Sequence, residues 1–140
     1  MINTNTIEIP ANLKAAAKEA YGKAYAPYSN FHVGAAALTT KGNIVQGCNV
    51  ENASYGLTVC AERNCISHAV IKGEQSFQMI VIYTEQDKLT PPCGACRQVI
   101  AEFFEQLAPV IAFNHKNEQQ VWSVAQLLPD AFTPKDLLEI

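Results

Sequence analysis

The chain has 140 residues and a mass of 15.3 kDa, which is the size of one domain. Hydrophobic residues make up 49% and charged residues 16%, enough apolar surface for a core and too much for a disordered chain. A net charge of −3 and a pI near 5.5 argue against nucleic acid as the main partner. No apolar run approaches the roughly 20 residues of a membrane span.

The opening stretch MINTNTIEIP has neither a basic start nor an apolar run, so no secretory leader is expected. Residues 11–24 are rich in Ala, Lys and Glu, and Leu13, Ala16, Ala17, Ala20 and Tyr21 recur at helical spacing. This first helix is expected to stop before Pro27, with Tyr28, Ser29 and Asn30 in a loop. Residues 31–39 and 44–50 are short runs around a Lys41-Gly42-Asn43 turn, and read as a β-hairpin. A polar loop follows. Residues 60–71 then turn helical, with Thr58 as the expected cap, Glu62 in the first turn and Gly73 at the close. Residues 77–84 are nearly all apolar and predict a strand covered on both faces. A loop ends at Pro91-Pro92, and a third helix is expected over 94–107. Residues 109–113 and 120–124 read as strands, and 127–140 as short helical turns around Pro129 and Pro134. No repeat or linker is visible. The order predicts one α/β domain over residues 1–140, a mixed sheet of about five strands with helices packed on it.

The cysteines carry the chemical information. There are five: Cys48, Cys60, Cys65, Cys93 and Cys96. An odd number without an export signal does not suit a disulfide framework and fits a reducing, cytoplasmic setting. Cys93-Gly94-Ala95-Cys96 places two thiolates on one helical turn, close enough to chelate one ion. Cys60 is the natural third ligand, because its helix also opens after the sheet, and helix N-termini stabilise thiolates. Three thiolates leave a tetrahedral ion one open position, the mark of a catalytic zinc, where the pKa of water falls toward about 7. The negative charge of three sulfurs opposes that fall. Arg63 and Arg97, beside the ligands in sequence, are expected to drain charge from the sulfurs. Cys65 lies about 140° around the helix from Cys60 and is assigned to the core, as is Cys48 in the hairpin. Glu62 stands two residues after a proposed ligand, where a carboxylate can pass protons to and from activated water. His32, His68 and His115 are read as structural or solvent-facing.

The pairing of Cys60-Ala61-Glu62 with Pro92-Cys93-Gly94-Ala95-Cys96 matches the signature of zinc deaminases. Four ordered blocks, AYAPYSNFHVGAAAL, NVENASYG, VCAER and PCGACRQ, resemble the small homotetrameric cytidine deaminases almost end to end. The resemblance implies a three-layer α/β/α sandwich and one Zn2+ per subunit on Cys60, Cys93 and Cys96. It implies Glu62 as proton shuttle, Asn49 and Glu51 on the sugar hydroxyls, and Phe31 against the pyrimidine. Ala61 would hold the amino group through its backbone. Tyr55 and Phe132 match family residues that close sites near subunit boundaries. The implied activity is hydrolytic deamination of cytidine and 2′-deoxycytidine to uridine and 2′-deoxyuridine, with release of ammonia, in pyrimidine salvage. The implied partner is a small nucleoside, with no nucleic acid and no membrane. Asn64-Cys65 departs from the small or apolar residues usual after this block. Alternatives are a non-catalytic zinc-binding interaction domain and a deaminase of another aminopyrimidine, such as a nucleoside antibiotic, or of polynucleotide.

Overall fold

The computed structural model describes residues 7–138. Most of the stretch read for a leader, and the last two residues of the C-terminal turns, lie outside the described residues. Helix α1 (Ala11–Tyr21) is followed by strands β1 (Gly34–Thr39) and β2 (Ile44–Cys48), a 3-10 turn (Tyr55–Leu57) and helix α2 (Ala61–Ile71). Strand β3 (Phe77–Thr84), helix α3 (Gly94–Phe103), strands β4 (Pro109–Asn114) and β5 (Gln119–Ser123), and short helices α4 (Val124–Leu127) and α5 (Pro134–Leu138) complete the chain. The five strands form one sheet in the order β2-β1-β3-β4-β5. Only the β3–β4 pair is parallel, and α3 is its crossover.

The strand period of two divides the core. Ala35, Ala37, Ile80, Ile82 and Val110 face one side, under α2, α3 and α4. Ala36, Val81, Ile111 and Phe113 face the other, where Leu13 and Ala17 of α1 cover them. The result is the expected three-layer α/β/α sandwich.

Several boundaries differ from the sequence reading, each because a backbone group is used elsewhere. The first helix ends at Tyr21, since Tyr25 leaves it to bridge Val50, with Tyr25 N donating to Asn49 O at 3.0 Å. Residues 31–33 are not strand. Phe31 N donates to Ser29 Oγ at 3.0 Å, Asn49 Nδ2 donates to Phe31 O at 2.8 Å, and Val33 N donates to Asn49 Oδ1 at 2.9 Å. Those side chains occupy groups that a ladder would need. Thr58 is not the cap of α2. Val59 pairs with Val50 in a bridge, so the helix cannot open before Cys60, which holds the N-cap position. Helix α3 stops at Phe103 because Phe104 is extended, bridges Phe77 and stacks on its ring at 4.8 Å.

Cys65 is fully buried, as expected. Cys48 is only half-buried, because β2 is an edge strand and its Sγ turns toward Lys23 O at 3.6 Å. The same edge accounts for Asn64. Its Nδ2 donates to Cys48 O at 2.8 Å, and His68 Nδ1 lies 2.9 Å from Gln46 O. Polar side chains of α2 thus satisfy carbonyls that an edge strand leaves unpaired. The helix lies close to β2 because residue 47 is glycine: a Cβ there would collide with Cys65 N and Ala61 O.

Candidate active site

The N-termini of α2 and α3 meet at one end of the sheet. Cys60 is the N-cap of α2 and Cys93 the N-cap of α3, while Cys96 sits one turn into α3. The sulfurs of Cys60 and Cys93 are 3.7 Å apart and those of Cys93 and Cys96 3.4 Å apart; all three lie within 4.8 Å of one another. A tetrahedral ion with Zn–S bonds of about 2.3 Å separates its sulfurs by about 3.8 Å, so the trio fits such an ion. The donor chemistry agrees. Proton sharing with Cys96, together with Arg63, pulls the Cys60 thiol down to about 5, while the same sharing and burial push Cys96 up. Arg63 Nη2 donates to Cys60 Sγ at 3.5 Å. Arg97 is placed differently from the sequence expectation. Its Nε donates to Pro92 O at 2.8 Å and its Nη1 to Leu127 O at 3.1 Å, so it ties α3 to neighbouring loops through carbonyls.

Beside the thiols opens a cavity of about 320 Å³. Phe31, Asn49, Glu51, Ala61 and Glu62 line it together with Cys60 and Cys93. The first turn of α2 carries Glu62 inward, where it is 5% exposed. Burial pushes its carboxyl up to about 7, and the Cys60 charge adds to the shift. Glu51, also on the lining, accepts from Tyr28 N at 2.9 Å, from Ser29 N at 3.1 Å and from the Ser29 hydroxyl. Tyr55 and Phe132 lie outside this cavity. Tyr55 is 77% exposed and borders an adjoining hollow with Glu51 and Ser29. Phe132 is 60% exposed and lines a groove beside Glu102 and Leu137.

Sequence reasoning did not assign to the site Ser29, Val33, Thr58, Ile82, Thr90 and Pro91, which also line the cavity. Ile82 and Val33 carry only a core signal. Ser29 stood in a Ser-Asn turn read as a loop; a hydroxyl two residues before Phe31 was the available hint.

A helix opening with Cys-x-Glu, a second opening with Pro-Cys-x-x-Cys and a sheet that joins them define the zinc deaminase class. The family profile described as "Cytidine and deoxycytidylate deaminase zinc-binding region" matches residues 8–112. A cytidine deaminase of Sporosarcina psychrophila is 46% identical over 125 residues, covering 89% of this chain and 92% of that protein. The crystal structure of the cytidine deaminase from Burkholderia pseudomallei superposes with a TM-score of 0.84 at 46% identity, covering 89% of this chain and all of the other. That from Mycobacterium tuberculosis gives 0.75 at 38% identity, covering 89% of this chain and 98% of that one. The chain belongs to the cytidine deaminase family.

Proposed function

We propose that the protein hydrolyses the 4-amino group of cytidine and 2′-deoxycytidine, giving uridine or 2′-deoxyuridine and ammonia. The observation that carries this reading is a buried carboxylate, Glu62, at the wall of a nucleoside-sized cavity beside three clustered thiols. Cys60, Cys93 and Cys96 would hold one zinc ion per chain, and bound zinc supplies water acidic enough to act as a nucleophile at neutral pH. Glu62 takes the proton that water gives up and delivers it to N3 of the ring. Protonation at N3 makes C4 electrophilic. After attack at C4, Glu62 carries the new hydroxyl proton to the amino nitrogen, and ammonia leaves. Ala61, fully buried at the start of α2, holds the amino group through its backbone.

Asn49 and Glu51 read the sugar hydroxyls, and Phe31 packs on the pyrimidine. Lysine, arginine and histidine are absent from the described lining, and Glu51 would repel a phosphate, so a nucleoside is favoured over a nucleotide or polynucleotide. Tyr55 and Phe132 lie exposed outside the cavity, in keeping with a homotetramer in which subunits complete each other's sites. Five free cysteines suit a cytoplasmic enzyme of pyrimidine salvage. No described helix is long and apolar enough to cross a membrane.

The test is Glu62→Gln, assayed by ammonia release from cytidine with zinc measured on the same sample. Turnover should fall by at least about a hundredfold with zinc retained. Near-normal turnover in that variant, or full activity after chelation has removed the metal, would refute the mechanism.

A further inference from the structure

We infer that Ser29 is a positioning residue: its hydroxyl ties the carboxylate of Glu51 to the backbone of Phe31, and so holds the sugar-reading group and the ring-facing shelf at the spacing of one nucleoside. The inference rests on the roles proposed above for Glu51 and Phe31.

Ser29 Oγ donates to Glu51 Oε2 and accepts from Phe31 N at 3.0 Å. One hydroxyl supplies a single donor and spare lone pairs, so both bonds form at once. The turn that permits this is set by Asn30, at φ 57, in the left-handed region where asparagine is enriched. Asn30 N donates to Ala26 O at 3.0 Å, which curls the chain so that the amide of residue 31 returns to the side chain of residue 29. Asn49 pins the other side of Phe31 by donating to its carbonyl. The shelf is thus held at both its N–H and its C=O, and only the N–H side connects to Glu51.

The remaining donors on Glu51 are backbone amides, Tyr28 N and Ser29 N, both on Oε1. They survive a change to alanine at position 29, whereas Oε2 loses its protein partner. The Ser29 hydroxyl is also the leading reason that Glu51 sits below the usual carboxylate range, which keeps it charged as an acceptor for sugar hydroxyls. Ser29 is exposed and borders both the main cavity and the adjoining hollow, so removing its hydroxyl opens no hole in the core.

Steady-state kinetics on cytidine with Ser29→Ala, Ser29→Thr, Glu51→Ala and the Ser29→Ala/Glu51→Ala double variant test the inference, with thermal melts verifying the fold. Ser29→Ala should raise KM about tenfold with kcat within about threefold, the loss expected for one hydrogen bond to a charged group. Threonine should restore KM, and in the Glu51→Ala background Ser29→Ala should add less than about twofold. If Glu51→Ala raises KM and Ser29→Ala does not, or if the two effects simply multiply, Ser29 does not act through Glu51. If Glu51→Ala leaves KM unchanged, the sugar-reading role fails and the inference falls with it.

Discussion

Helix α4 seals its own N-terminus, with Gln126 N donating to Ser123 Oγ at 3.1 Å and Ser123 N donating to Gln126 Oε1 at 2.8 Å. Helices α2 and α3 place Cys60 and Cys93 at the equivalent position and make no side-chain cap bond. A capping oxygen stabilises a helix by about 1 kcal/mol. A sulfur gives that up and places a soft donor atom at the positive pole, where the thiolate is favoured. The two kinds of opening set α4, which serves only the fold, apart from the two helices that build the site.

The comparison can be broken at its strongest point first. Cys96→Ala removes one of the three clustered sulfurs. Activity should fall by more than about a hundredfold, beyond the usual cost of losing a mere supporting partner of a metal, and elemental analysis should find the metal depleted. Retention of both would show that the thiol cluster is structural.

Gly47→Ala probes how α2 is held. Backbone atoms of Ala61 and Cys65 fill the space a Cβ needs, so the helix must lift away from β2. A stability loss of about 3 kcal/mol in chemical denaturation is expected, with weaker metal binding because Cys60 moves with the helix. An unchanged midpoint would mean that the helix seats on the strand more loosely than its contacts indicate.

The smallest effect sharpens the contrast. Ser123→Ala should cost about 1 kcal/mol of stability and leave kcat/KM within about twofold of the parent. A large loss of activity there would tie α4 to the site and dissolve the distinction drawn above.

The centre of the site was legible because its parts are local. Cys93 and Cys96 are one helical turn apart, and Glu62 follows Cys60 by two residues, so spacing alone sets which groups can share an ion or a proton. A mixed sheet with helices packed on it was legible from short apolar runs and helical spacing, whereas the three-layer sandwich was what the family resemblance implied. Element ends were less so. Nothing in the Phe31-His32-Val33 run says that Ser29 and Asn49 will occupy its backbone, and nothing in an apolar helix announces that Phe104 will leave it to stack on Phe77. Arg97 shows the same limit: adjacency in sequence suggested the sulfurs, while the fold sent its guanidinium to two carbonyls.

By itself the amino-acid order determined the element types, the Cys93–Cys96 pair and the Cys60–Glu62 pair, since each depends on residues within a turn or two of one another. The tertiary structure decided which distant groups meet. It brought Cys60 to within 3.7 Å of Cys93, set Glu51 and Glu62 on the lining of one cavity, and left Tyr55 and Phe132 exposed. Local periodicity specifies which face of an element is buried, but only the packed sheet specifies which two helix ends arrive at the same place.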